Sequence, residues 1–144
     1  ADQNARAFGP EVTQVQAGDG ALVLDELARR ARVLGRLDDP RLLERLGAAR
    51  ALCEAARLLS YRVIDLRAKG RPPSADTNVA RIAGTRAEQA VAELALELYG
   101  AEALAYGHFA ESHYRLAMTA GVAVGTTEIH LNLVASRFLG LPRE

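Results

Sequence analysis

One cysteine, Cys53, stands among 144 residues, so no disulfide can form within the chain. Its stability therefore has to come from packing, and a reducing interior such as the cytoplasm is the natural setting. Net charge is also missing: Lys+Arg and Asp+Glu both number 18. That balance gives no reason to expect nucleic acid or an acidic membrane surface as a partner. Lysine is almost absent, with Lys69 the only one. No apolar run approaches the ~20 residues that a membrane-crossing helix needs, and no signal-peptide pattern is present. Ala1 opens the chain without a methionine, which suggests a fragment or a cleaved product.

What is there reads as helix throughout. The length suits one domain with a real core. Residues 1–19 have no clean period and carry Gly9, Pro10 and Gly18, which predicts a weakly structured arm. Asp19 is placed to cap a helix from about 20 to 34 that stops at Gly35. Asp39 and Pro40 restart the chain as N-cap and first helical residue. The second helix runs to Lys69, roughly 45 Å at ~1.5 Å per residue, and Gly70 ends it. Leu52, Leu59 and Leu66 recur every seven residues, and Leu46, Ala49, Cys53 and Ala56 alternate in fours and threes, as a bundle seam does. "GRPPSAD" enforces a loop. A third helix spans about Asp76 to Tyr99, with Val79, Ile82, Ala83, Ala87, Val91, Leu94 and Leu98 facing inward. A short helix is expected near 109–119, and a last one from about Thr127 to Leu139. With no strand signal, the expectation is an all-α, antiparallel four-helix bundle over 20–144.

Few residues announce chemistry. The Glu-x-x-His pairs of a di-metal bundle are missing: Ala105, Ala110 and Thr127 stand three residues before His108, His113 and His130. No metal site is therefore expected. His108, Glu111 and His113 crowd one stretch and could ligate a metal or move protons, but a polar surface segment is the stronger reading. Cys53 reads as a small buried apolar residue rather than a nucleophile. Arg29, Arg30 and Arg32 complement the dipole at a helix end. The run Gly125-Thr126-Thr127-Glu128 opens a helix, whose free N–H groups and positive end suit a carboxylate or phosphate. On the residues alone, ordinary capping by Thr126 or Thr127 outweighs ligand binding.

The stretch "YRLAMTAGVAVGTTEIHLNLVASRFLGLP" resembles the ending of the acyl-CoA dehydrogenase family, and the likeness extends over roughly residues 20–144. The family's arginine, Gly-Thr turn, helical asparagine and Leu-Gly-Leu-Pro ending correspond to Arg115, Gly125, Thr126, Asn132 and residues 139–142. The long helices around "LSYRVIDLRAKGRPPSADTNVARIAGTRAEQAVAELALELYG" look like that family's second and third bundle helices. The resemblance implies α,β-dehydrogenation of an acyl-CoA thioester, with a glutamate taking the α-proton and FAD accepting the β-hydride. It also implies dimers of dimers built around these bundles.

Several positions depart from that pattern. Most members carry the base immediately before the Gly-Thr pair, where Val124 stands here. Some relatives place it at the start of the first bundle helix, which falls near Ala5-Arg6. Neither position supplies a carboxylate, so no catalytic residue is assigned. The Arg-x-x-Phe-Gly flavin contact is reduced to "ARVLG", with Leu34 in the aromatic's place. The loop that meets a neighbouring subunit's FAD survives only in part, as Glu97, Gly100, Ala101 and Ala103. By resemblance, then, Glu97, Gly100, Thr126 and Glu128 are the cofactor-binding candidates, with weak or absent FAD binding by the chain alone. The expected role is a C-terminal domain, fragment or non-catalytic subunit of an FAD-dependent acyl-CoA dehydrogenase. Its partners would be further copies or heteromeric subunits, with acyl-CoA bound by the complete enzyme. A flavin-free helical interaction module is the competing reading.

Overall fold

A computed structural model describes residues 20–72, 74–123 and 125–142. The arm over 1–19, the Asp19 cap, and the two base positions at Ala5 and Val124 lie outside the described residues. Five α-helices follow one another: α1 (Gly20–Val33), α2 (Pro40–Ala68), α3 (Asp76–Tyr99), α4 (Phe109–Ala120) and α5 (Thr127–Arg137). A 3₁₀ helix, Gly100–Leu104, joins α3 to α4. The short 109–119 segment thus becomes a full member of the bundle. No strand occurs among the described residues.

Local chemistry sets the boundaries. The Asp39 side chain accepts from the N–H groups of Arg41 and Leu42, and Pro40 takes the first helical position. These groups have no intrahelical partner, so the carboxylate satisfies donors that would otherwise need water. Gly70 leaves α2 with φ +68, a conformation that costs glycine little.

The helices pack around α3, which touches each of the others. Arg45 pairs with Glu97 at one end of the α2–α3 seam, and Arg62 with Asp76 at the other, so the two run antiparallel. The core joins Val23, Leu24 and Leu27 of α1 to Leu42, Leu46 and Cys53 of α2 and to Val91, Leu94 and Leu98 of α3. On α3 the expected face is buried at Ile82, Ala87, Val91, Leu94 and Leu98, while Val79 and Ala83 are half-buried.

The α2 seam holds only in its first half. Leu46, Ala49 and Cys53 are buried, but Leu59 and Leu66 are half-buried. Helix α1 explains this, because Gly20 begins it at the level of Cys53: a Cβ on Gly20 would lie 3.5 Å from Cys53 Sγ. Beyond that level α2 exposes Leu58, Tyr61 and Ile64 at 58%, 56% and 62%. Helix α5 buries none of its residues fully, and Ile129 and Leu131 are exposed. A helix apolar on more than one face normally has more than one neighbour.

Candidate functional site

The turn before α5 has a strict backbone requirement. Gly125 adopts φ +104, which side-chain-bearing residues rarely reach. His130 lies beneath it, with Nε2 3.4 Å from the place a Cβ would occupy. Thr126 is the N-cap of α5, and its hydroxyl accepts from the Ile129 N–H at 3.4 Å. Glu128 is exposed in the first turn. A hydrogen bond from its own backbone N–H, then one from Thr126, holds its carboxyl below the usual range. The capping role read from the sequence is therefore present.

A cleft of about 370 Å³ opens beside this turn. Thr85, Arg86 and Gln89 of α3 form one wall, Met118, Gly121 and Val122 the second, and Thr126, Thr127 and Glu128 the third. Gly121 lets the walls approach: a Cβ there would meet Gln89 Nε2 at 3.3 Å and Thr85 Cγ2 at 3.4 Å. The cleft thus gathers a guanidinium, an amide, hydroxyls and one carboxylate at the positive end of a helix. Such a set can hydrogen-bond a phosphate or a sugar hydroxyl. Nothing marked Arg86 or Gln89 in the sequence; the period of α3 placed its buried face, and these two lie off it.

Glu97 and Gly100 are elsewhere. From Thr85 to Glu97, α3 rises roughly 18 Å, so the four candidate residues form two separate groups. Glu97 is held by Arg36, at 3.1 Å, and by Arg45. Arg36 also reaches Asp39 at 3.1 Å, which links the α1–α2 connection to α3. Gly100 ends α3 with φ +53, and a Cβ there would meet nothing within 4 Å. This end of the bundle carries an exposed ionic cluster.

The structure corrects the reading of residues 108–113 as a polar surface segment. His108 and His113 are 8% and 2% exposed. His108 caps α4, its Nδ1 accepting from the Ala110 N–H at 3.2 Å, and it packs with Tyr99 and Phe109. His113 enters the core between Ala110 and Ala117, with Nε2 3.4 Å from Glu88 Oε2. Burial lowers the pKa of both imidazoles. The helical period was the available signal, since 110, 113 and 117 share one face. Glu111 instead pairs with Arg115 at 2.5 Å, and that hydrogen bond chiefly lowers its pKa. No group of three potential metal ligands occurs among the described residues. A wider groove of about 610 Å³ runs between α2, α3 and α4, lined by Ser60, Arg81, Glu88, Leu116 and several alanines.

Comparison with known proteins agrees with this architecture. Residues 12–139 match the model of the acyl-CoA dehydrogenase C-terminal domain. Acyl-CoA dehydrogenase FadE34 of Mycobacterium tuberculosis is 30% identical over 131 residues, covering 90% of this chain and 18% of that relative. Acyl-CoA dehydrogenase IpdE1 of Mycolicibacterium smegmatis is 30% identical over 125 residues, covering 84% and 30%. The chain therefore spans less than a third of the length of either. Two solved structures share the fold. The Tcur3481-Tcur3483 steroid ACAD has a TM-score of 0.75 at 23% identity, covering 87% of this chain and 35% of its own. The ChsE4-ChsE5 complex of Mycobacterium tuberculosis has a TM-score of 0.73 at 21% identity, covering 90% and 36%.

Proposed function

This chain belongs to the acyl-CoA dehydrogenase family, as its C-terminal helical domain, and from that premise we propose that it supplies the cofactor-edge and assembly surfaces of an FAD-dependent dehydrogenase without supplying the catalytic base. The observation that carries the reading is the cleft beside Thr126. Its volume, about 370 Å³, lies at the low end of the ~300–1,000 Å³ typical of ligand pockets. That is room for part of a dinucleotide, with the rest held by other subunits or domains. Arg86 and Gln89 suit phosphate, the Thr126 and Thr127 hydroxyls suit either phosphate or ribose, and Glu128 suits a ribose hydroxyl. FAD, when bound in such an enzyme, accepts the β-hydrogen of the acyl-CoA as hydride. Valine at position 124 cannot accept the α-proton, so in this reading the base comes from another subunit or domain.

The partner reading rests on surface chemistry. The exposed Leu58, Tyr61 and Ile64 of α2 and the Ile129 and Leu131 of α5 favour association. Two of the fold relatives carry two-component names, the Tcur3481-Tcur3483 steroid ACAD and the ChsE4-ChsE5 complex. A heteromeric dehydrogenase working in the cytoplasm is the arrangement we favour. No described helix is long and apolar enough to cross a membrane.

One observation favours the flavin-free module: Glu97 is already engaged by Arg36 and Arg45 within its own chain. The test is flavin retention after gel filtration of the assembled complex. Thr126→Val and Glu97→Ala should each lower the FAD-to-protein ratio. If neither does, the helical interaction module replaces the flavin reading.

A further inference from the structure

The connection from α4 to α5 carries position 124 and Thr126, and α3 grips it at both ends. Asn78 and Arg81 stand one turn apart on the same face of α3. Arg81 Nη2 donates to the carbonyl of Ala120 at 2.9 Å and to that of Ala123 at 2.5 Å. The Ala120 oxygen sits at the end of α4, where carbonyls lack intrahelical donors and the dipole favours a cation, and the Ala123 oxygen lies three residues beyond it. One guanidinium nitrogen thereby fixes where the chain leaves α4.

The other grip is on α5. The Asn78 side-chain amide and His130 Nδ1 share a hydrogen bond of 2.9 Å. This contact ties α3 to the first turn of α5. The His130 ring forms the floor of the Gly125 turn. Arg81 Nε and His130 Nε2 are both buried, with no hydrogen-bond partner among the described residues.

We propose that Asn78 and Arg81 are positioning residues for the Gly125–Thr126 turn: they fix the point from which Thr126 and the start of α5 meet a bound flavin. The flavin half of this statement rests on the function proposed above; the clamp itself does not.

The experiment measures amide hydrogen exchange in the 144-residue chain, comparing the α5 start (Ile129 and His130) with the α3 core (Val91 and Leu94). Arg81→Gln and Asn78→Ala should each speed exchange at Ile129 and His130 by about tenfold or more, the scale of one lost hydrogen bond, and leave Val91 and Leu94 unchanged. Arg81→Lys should recover part of the protection by keeping a donor at the end of α4. Arg62→Gln is the control: it removes a 2.7 Å contact to Asp76 in the same turn of α3 without touching the 120–130 segment. Unchanged exchange at Ile129 and His130, or equal acceleration throughout the bundle, overturns the clamp. Should Arg81→Gln fail to fold, Asn78→Ala is judged alone by the same criterion. In the FAD-loaded complex the same variants should also release FAD faster. A loosened turn with unaltered FAD release keeps the clamp and removes the flavin reading.

Discussion

His113 gives the sharpest test of how the core is built. Its imidazole is 2% exposed, and burial is the chief cause of its lowered pKa. In the unfolded chain the ring titrates near 6.5. The folded pKa is depressed, so the unfolded state binds more protons as pH falls below that value. Stability is therefore complete above pH 6.5 and declines as the pH drops toward the folded pKa. If the buried ring stays neutral, the penalty at pH 5 reaches an upper bound of about 2 kcal/mol, from 1.36 kcal/mol per pKa unit. At ~2.1 cal/mol/K per residue for the entropy of unfolding, that is a fall of roughly 7 °C in Tm. His108 shifts in the same direction and adds to the decline. The lowered carboxylates, Glu26, Asp39, Asp76, Glu111 and Glu128, act in the same sense but only below about pH 4.5. Among the groups with lowered pKa values, the histidines are the ones that respond between pH 6.5 and 4.5. Calorimetric melts at pH 7.5, 6 and 5 should show the decline in the parent chain and a shallower one in His113→Leu. Parallel pH profiles for the two proteins would refute the account.

Three further outcomes follow from the packing and from the proposed lack of a base. Leu94→Ala empties a site that is 1% exposed and should cost about 3–5 kcal/mol in denaturant titration; a loss under about 1 kcal/mol would mean that the α1–α2–α3 core is not the main one. The exposed apolar residues of α2 and α5 should make the chain at least dimeric at micromolar concentration, and a clean monomer by analytical ultracentrifugation contradicts this. Incubated alone with FAD and any acyl-CoA, the chain should reduce no electron acceptor, since a general base contributes ~10²–10⁴-fold; robust turnover would mean that a base has been overlooked.

Much of the fold was legible because its signals are local. Asp39-Pro40 and Gly70 fixed the ends of α2 through capping and backbone freedom, and the period of α3 named its buried face. The half-buried Leu59 and Leu66 show where local reading stops: their heptad spacing marks a seam, but only the position of α1 decides how far it is covered. His113 was misread by residue type against its period. Among the site residues, Thr126 was readable as a cap because its donor lies three residues away. Arg81 and Asn78 were not, since their partners lie tens of residues along the chain and no spacing rule relates them.

These long-range contacts bear on why valine can occupy position 124. Around this turn a glycine at φ +104, a ring packed beneath it and a guanidinium reaching across to its approach occur together. These contacts hold the turn in place; in the reading proposed above, that placement serves the flavin. Proton abstraction would require in addition a carboxylate aimed at the substrate, and residue 124 lacks one. The two requirements are chemically separable, so Val124→Glu in the assembled complex tests whether they have in fact been separated. If a competent base elsewhere already serves the site, added turnover should be negligible. A large gain in turnover would mean instead that the turn is placed for catalysis and lacks only its base.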